Sequence, residues 1–73
     1  MTTINITDDM IRLGQFLKMA DLAETGGEAK QIVQQGRVKV NGEVETRRGR
    51  QLHAGDVVEL DGRVLEINTG APD

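Results

Sequence analysis

Arginine and lysine side chains are concentrated in one short segment of this chain. Residues 30–50 contain six basic and two acidic residues, a balance of +4, whereas the remaining residues contain three basic and ten acidic ones, a balance of −7. The net charge of −3 therefore conceals a dipolar charge distribution. Arginine offers a planar fork that matches phosphate oxygens, so such a cluster is suited to binding a polyanion. The six basic residues are Lys30, Arg37, Lys39, Arg47, Arg48 and Arg50.

Two other interpretations of these charges are open from the residues alone. The first is an ordinary solvated surface, on which Glu43 and Glu45 pair with Arg48 or Lys39, because exposed ion pairs are common and stabilise a fold little. The second is a protein-interaction module, whose basic face docks an acidic partner and whose hairpin edge adds a strand.

Residues suited to covalent or acid–base catalysis are scarce. The chain has one histidine, His53, and no cysteine, so a nucleophile lacks an evident base and a zinc ion lacks a set of ligands. His53 lies in QLHAGD, which is typical of a turn, and we expect a solvated loop histidine there. An enzyme acting on RNA would have to use His53 and carboxylates without paired spacing. We therefore predict a protein that is not an enzyme and uses no metal or cofactor.

The length and the ends of the chain predict one small domain. We assign it to residues 1–73, with a loose tail at residues 69–73, where Gly70 and Pro72 occur. No apolar run approaches the roughly 20 residues of a membrane helix. The start, MTTINITDD, lacks the basic and apolar parts of a signal peptide. We expect a cytoplasmic protein without a membrane or small-molecule partner, for which a monomer is the simplest state.

Apolar spacing predicts a first helix that begins after Thr7. Thr7 would cap this helix, and Asp8 and Asp9 would occupy its first turn, where acidic groups suit the helix dipole. Gly14 weakens the helix and permits close packing against a neighbouring element. The predicted buried face consists of Met10, Leu13, Leu17 and Ala20.

The second helix has clearer boundaries. Thr25 and Glu28 match the T-x-x-E capping box, and Gly36 suits the left-handed position that ends a helix. Lys30 faces away from the predicted buried stripe, which consists of Ala29, Ile32 and Val33.

After Gly36 the pattern changes to that of β-strands. Val38 and Val40 alternate with basic residues in RVKV, so the valines would be buried. Asn41-Gly42 and Asp61-Gly62 are typical two-residue hairpin turns. They predict one hairpin of RVKV with EVET, burying Val44 at most, and a second of VVEL with RVLEI.

These patterns predict an α+β domain, in which two short helices pack on a small, mainly antiparallel and twisted sheet. The segment TINI is a further short strand. RRGRQLHAGD is a long turn in which Leu52 is an isolated buried anchor.

Two stretches of the sequence resemble the S4 RNA-binding domain. They are IRLGQFLKMADLAETGGEAKQIVQQGRVKVNGEVE and, downstream, AGDVVEL, which together span about residues 11–60. The stretch KVNGEVETRRGR is similar to small stand-alone bacterial S4-like proteins of the YbcJ and YaaA type. The resemblance implies the α-L fold of two helices on a small sheet. It also implies binding of structured RNA, either ribosomal or transfer RNA.

The resemblance also implies particular RNA-binding positions. Arg12 matches the arginine of the first helix, and Lys30 the basic position of the second. Arg37, Lys39 and Asn41 fall in the strand and turn, although the turn conformation alone is sufficient reason for Asn41 and Gly42.

The sequence departs from the family pattern at two places, the second of which bears on phosphate contact at the second helix. The usual aspartate is Gly14, and the usual Ser-Arg pair is Thr25-Gly26, so one phosphate-contacting arginine is missing. We hypothesise that Arg47, Arg48 and Arg50 supply that charge from their loop.

The residues also predict the mode of binding. The one aromatic residue, Phe16, adjoins Leu17 and is expected in the core, which leaves no platform for stacking single-stranded bases. Recognition of structured RNA through phosphates and shape is favoured. A DNA-binding helix-turn-helix is disfavoured, because its second helix would start with TGGEAK, which carries two glycines and a glutamate.

Overall fold

The structure is a computed structural model that describes residues 1–69. Within that range the chain forms two helices and seven strands. They are β1 (Thr2–Ile6), β2 (Ile11–Arg12), α1 (Leu13–Met19), α2 (Gly26–Gln34), β3 (Val38–Val40), β4 (Glu43–Val44), β5 (Gln51–Leu52), β6 (Val57–Leu60) and β7 (Arg63–Thr69). No helix in this part of the chain is both long and apolar enough to cross a bilayer.

The strands form one five-stranded sheet and one short ladder. The order in the sheet is β1-β7-β6-β3-β4, with β1 parallel to β7 and the other pairs antiparallel. The ladder pairs β2 with β5. The predicted α+β class with a mainly antiparallel sheet is confirmed. Thr69, predicted to start the tail, instead pairs with Ile6 in the sheet, and the rest of the predicted tail lies outside the described residues.

A single apolar core lies between the two helices and one face of the sheet. Leu13, Phe16 and Leu17 of α1 are fully buried, and Phe16 is in the core as predicted. Full burial of each large apolar side chain stabilises the fold by about 1.5–3 kcal/mol. The sheet contributes Val38, Val40, Val58, Leu60, Leu65 and Ile67.

The start of α1 was predicted wrongly. The prediction placed it after Thr7, but Thr7, Asp8 and Asp9 are exposed and lie before the helix. Ile11 and Arg12 are extended because they pair with β5, so α1 begins only at Leu13. A side-chain cap is replaced by pairing with a distant strand.

The second helix and both hairpin turns are confirmed. Thr25 Oγ1 accepts a hydrogen bond from the Glu28 amide at 3.0 Å, and the helix ends before Gly36, whose φ is +75°. Asn41-Gly42 and Asp61-Gly62 both have positive φ at both positions, as a type I′ turn requires. The α2 cap and the two turns are thus determined by residues that are close together in the sequence.

The strand β4 differs from the prediction in which side chain it buries. Val44 lies opposite Lys39 on the solvent side and is 57% exposed. Glu45 follows on the other side, where its amide donates to the Val38 carbonyl at 2.9 Å, and it is only 6% exposed. The predicted buried valine is thus replaced by a buried carboxylate.

Candidate nucleic-acid interface

Residues 47–50, here called the arginine loop, lie against the start of α1. The Leu13 amide donates to the Arg50 carbonyl and the Gly14 amide to the Arg48 carbonyl, both at 2.9 Å. Gly14 thus lies beside the arginine loop, where a Cβ would be 3.5 Å from the Arg48 Cβ. That distance is an ordinary contact, so Gly14 is not required by lack of space.

A pocket of about 320 Å³ lies where the arginine loop meets the two helices. It is lined by three cations, Arg12, Lys18 and Arg48, and by no carboxylate of the described residues. None of the three forms an ion pair within residues 1–69. We call this feature the basic pocket; its other lining residues are Gly14, Gln15, Gly26 and Gly49.

Lys18 is the cation of the basic pocket that sequence reasoning missed. Gln15 and Lys18 are three positions apart on α1, and residues at that spacing share a helix face. That face is opposite to the buried one that contains Leu13, Phe16 and Leu17. The polar stripe was detectable from the sequence, but only the apolar stripe was used to define the helix.

The position of the missing family arginine, Gly26, also borders the basic pocket. A side chain there would meet nothing within 4 Å of its Cβ. Arg48, which belongs to the arginine loop, lines the same pocket. The geometry is therefore compatible with the hypothesis that the arginine loop supplies the missing charge.

Arg47 and Arg50 are paired with a carboxylate and do not extend freely from the loop. Both bind Glu45, with Arg50 Nη1 at 2.8 Å from Oε1 and Arg47 Nε at 3.1 Å from Oε2. These hydrogen bonds lower the pKa of Glu45 to about 2. Glu45 therefore does not pair with Arg48 or Lys39, the partners considered under the interpretation of a solvated surface. The Arg47 side chain remains 77% exposed.

A wider groove of about 670 Å³ lies on the other side of the arginine loop. Its lining suits an anion less well than that of the basic pocket, because it includes Asp56 and both of its arginines are paired with Glu45. Its lining consists of Arg47, Gly49, Arg50, Gln51, His53 and Asp56. His53 is exposed in a turn, as predicted.

The remaining predicted cations lie outside the basic pocket. Arg37 donates to both carboxylate oxygens of Asp61, which lowers the pKa of Asp61, and to Gln35 at 3.3 Å. Lys30 is exposed on α2. Lys39 lies between buried Val38 and Val40, so it projects from the sheet face that the helices do not cover. The structure thus does not join these side chains to the pocket.

Asn41 makes structural contacts in this fold. Its Nδ2 donates to Asp56 Oδ1 at 3.1 Å, and its Oδ1 accepts from the Val57 amide at 2.9 Å. These bonds connect the Asn41-Gly42 turn to the AGD segment. They account for both motifs without an RNA contact.

Comparison with known protein families identifies the domain. The family model of the S4 domain matches residues 4–68. This chain belongs to the S4 domain family. The resemblance predicted from GRVKVNG and AGD is therefore confirmed, and it covers nearly all of the described residues.

Relatives of this S4 domain are of similar length. A Bacillus subtilis (strain 168) protein named "Probable ribosome maturation protein RlbA" is 52% identical over 59 residues, which cover 81% of this chain and 83% of that protein. YbcJ of Escherichia coli (strain K12) is 35% identical over 57 residues, 78% of this chain and 81% of YbcJ. The solution structure of E. coli YbcJ, described as having an alfaL motif involved in RNA-binding, matches with a TM-score of 0.72 and 31% identity. It covers 94% of this chain and 89% of the YbcJ chain.

Proposed function

We propose that this S4 domain is a non-catalytic protein that recognises structured RNA, ribosomal or transfer RNA, through phosphate contacts centred on the basic pocket. The observation that carries the proposal is the convergence of Arg12, Lys18 and Arg48 on one pocket without a lining carboxylate. These three cations have no ion-pair partner among residues 1–69, so they repel one another, and a phosphate placed between them relieves that repulsion. Charge-assisted hydrogen bonds to phosphate are among the stronger polar contacts.

The kind of RNA follows from the surface that the fold leaves available. The chain has one aromatic residue, Phe16, and it is fully buried, so bases cannot stack on it. Recognition therefore depends on phosphates, 2′-hydroxyls and the shape of a folded RNA. The relatives support this choice, since the name of RlbA refers to ribosome maturation and the YbcJ structure is described as RNA-binding.

The other predicted residues take secondary places in this proposal. The exposed Lys30 and Lys39 would add contacts at the periphery. Arg37, Arg47 and Arg50 are already paired with carboxylates, so each would bind phosphate less strongly than Arg48. Asn41 would contribute through the turn that it stabilises. About four to five phosphate contacts in all would give a slope of log K against log salt of about −3 to −4.5.

The first test is titration of the protein with a ribosomal RNA hairpin, an unstructured RNA and duplex DNA at two salt concentrations. We expect preference for the hairpin and a steep loss of affinity with salt. Absence of hairpin binding at low salt would overturn the proposal. Binding of a polyglutamate peptide instead would favour the protein-interaction module.

The second test assigns the pocket. Arg48→Ala should weaken hairpin binding about five- to eightfold in 0.1 M salt, the loss expected for one phosphate contact, and reduce the salt slope by about one. Arg63→Ala is the matched control, because Arg63 is exposed on β7 and does not line the basic pocket. Equal losses of RNA affinity in the two variants would show that the effect of Arg48→Ala comes from the change in net charge and not from the basic pocket.

A rescue variant tests whether Arg48 replaces the missing arginine. Gly26→Arg has space for its Cβ and adds a guanidinium at the edge of the same pocket. In the Arg48→Ala background it should restore most of the lost affinity. If the double variant is folded by circular dichroism but does not regain RNA affinity, the hypothesis that Arg48 replaces the missing arginine is wrong.

A further inference from the structure

Glu45 is an acidic residue buried within the most basic part of the chain. Among residues 1–69 it is the only buried charged side chain, at 6% exposure. Burial of a charge is costly unless hydrogen bonds and an opposite charge compensate it. An exposed carboxylate would serve solubility equally well, so the buried position calls for a structural explanation.

The Glu45 carboxylate accepts four hydrogen bonds, all from the arginine loop. Its Oε2 accepts from the Arg47 amide and from Arg47 Nε, each at 3.1 Å. Its Oε1 accepts from Arg47 Nη2 at 3.4 Å and from Arg50 Nη1 at 2.8 Å. The carboxylate thus holds the loop at both of its ends, Arg47 and Arg50.

The loop held in this way determines where Arg48 lies. The Arg48 carbonyl accepts the Gly14 amide and the Arg50 carbonyl accepts the Leu13 amide, so the loop backbone sits on the first turn of α1. Arg48 lies between the two residues bound by Glu45 and lines the basic pocket. Loss of the clamp would release the loop and, with it, the orientation of that side chain.

We infer that Glu45 is a positioning residue for RNA binding, whose carboxylate clamps the arginine loop so that Arg48 is delivered to the basic pocket. The inference rests on the proposed RNA-binding function. It predicts a result opposite to that of simple electrostatics. Removal of a negative charge beside a phosphate-binding surface should strengthen RNA binding, whereas loss of this particular charge should weaken it.

The test compares Glu45→Gln with Glu43→Gln. Both variants remove one negative charge from the same hairpin, but Glu43 is exposed and forms no ion pair within the described chain. We expect Glu43→Gln to bind the RNA hairpin as well as or better than wild type. Glu45→Gln should bind about five- to eightfold more weakly in 0.1 M salt, the loss of one phosphate contact. Equal or tighter binding by Glu45→Gln would overturn the inference.

A double-mutant cycle with Arg48→Ala separates positioning from general destabilisation. If Glu45 acts through Arg48, then Glu45→Gln should have little further effect on affinity once Arg48 is removed. Independent, additive losses would show that Glu45 acts otherwise and would reject the inference. Binding is compared at a temperature where every variant is folded by circular dichroism.

Amide hydrogen exchange supplies a readout that needs no RNA. In Glu45→Gln, protection should fall at Leu13 and Gly14, whose acceptors belong to the arginine loop. It should persist at Ile67 of β7, whose amide donates to the carbonyl of Asp56, just before β6, at 2.9 Å. Loss of amide protection at Leu13, Gly14 and Ile67 together would indicate global destabilisation and would count against the inference.

The outcomes for the clamp and for the proposed function can be told apart. If the wild type does not bind RNA, the proposed function is wrong. The hydrogen-exchange measurement would still show whether Glu45 clamps the arginine loop. If Glu45→Gln does not fold, Glu45→Asp replaces it, because it keeps the charge but shortens its reach. Wild-type affinity and exchange in Glu45→Asp would then reject the inference.

Discussion

The two helices of this domain begin in different ways. The start of α2 is capped by its own neighbour, since Thr25 Oγ1 accepts the Glu28 amide at 3.0 Å. The start of α1 is instead completed from far along the chain, where the carbonyls of Arg48 and Arg50 accept the amides of Gly14 and Leu13. The α2 cap depends on two residues three positions apart in the sequence, whereas the arrangement at α1 exists only after the tertiary fold has formed.

The difference connects folding with the proposed function. At α2 the capping bond joins Thr25 and Glu28, neither of which lines the basic pocket, although the adjacent Gly26 borders it. At α1 the same loop provides backbone acceptors for the helix and the Arg48 side chain for the basic pocket. Changes that loosen the start of α1 should therefore affect both stability and RNA affinity, whereas changes at the start of α2 should affect mainly stability.

The largest expected effect is that of removing the anchor behind the arginine loop. Leu52 is fully buried and pairs with Ile11, which holds β5 beside the start of α1. Leu52→Ala should lower the free energy of unfolding by about 2–5 kcal/mol, as is typical of a cavity in a core. Urea denaturation measures the change.

The control for this prediction is Val44→Ala. Val44 is an aliphatic residue that is 57% exposed, so its truncation should change stability by no more than about 0.5 kcal/mol. A loss below about 1 kcal/mol for Leu52→Ala would indicate that the β2–β5 ladder does not support the start of α1.

The contrast between the two helix starts also explains which parts of the fold could be predicted from the sequence. The α2 cap and the two type I′ turns were predicted because each depends on two to four adjacent residues. The start of α1 was missed because it depends on pairing of Ile11 and Arg12 with β5. Thr7 has the chemistry of a cap, but the strand pairing of the following residues prevents the helix from starting there.

The candidate site shows a similar division. The positions of the basic residues along the chain predicted the concentration of cations, but they could not predict which of the cations are paired. The burial of Glu45 follows from the register of β4, in which Val44 lies opposite Lys39, and that register decides that Arg47 and Arg50 are bound. Arg48 differs from its neighbours only through this three-dimensional arrangement.

A second, smaller effect concerns the pH dependence of stability. Glu45 has a pKa of about 2 in the folded protein and about 4.5 ordinarily, because Arg47 and Arg50 bind its charged form. Its folded-state pKa is depressed, so its stabilisation is fully present above about pH 4.5 and is lost as the pH falls towards 2. We expect a contribution on the order of 1–2 kcal/mol, since solvent screens the exposed Arg47.

The measurement is the difference in unfolding free energy between wild type and Glu45→Gln across this pH range. The difference should be constant above about pH 5.5 and shrink towards pH 2.5. The corresponding difference for Glu43→Gln should stay near zero throughout. A constant difference for Glu45→Gln at all pH values would show that the carboxylate stabilises the loop by packing and not by its charge.

The smallest effect is expected at the start of α2. Thr25→Ala removes the acceptor for the Glu28 amide and should cost about 1 kcal/mol of unfolding free energy. Gly26 and Gly27, which open the helix, are poor helix formers and add no support of their own. The slope of RNA affinity against salt should nevertheless equal that of wild type, because no cation moves. A reduced slope, like the one expected for Arg48→Ala, would mean that both helix starts position the basic pocket and that the contrast between them fails.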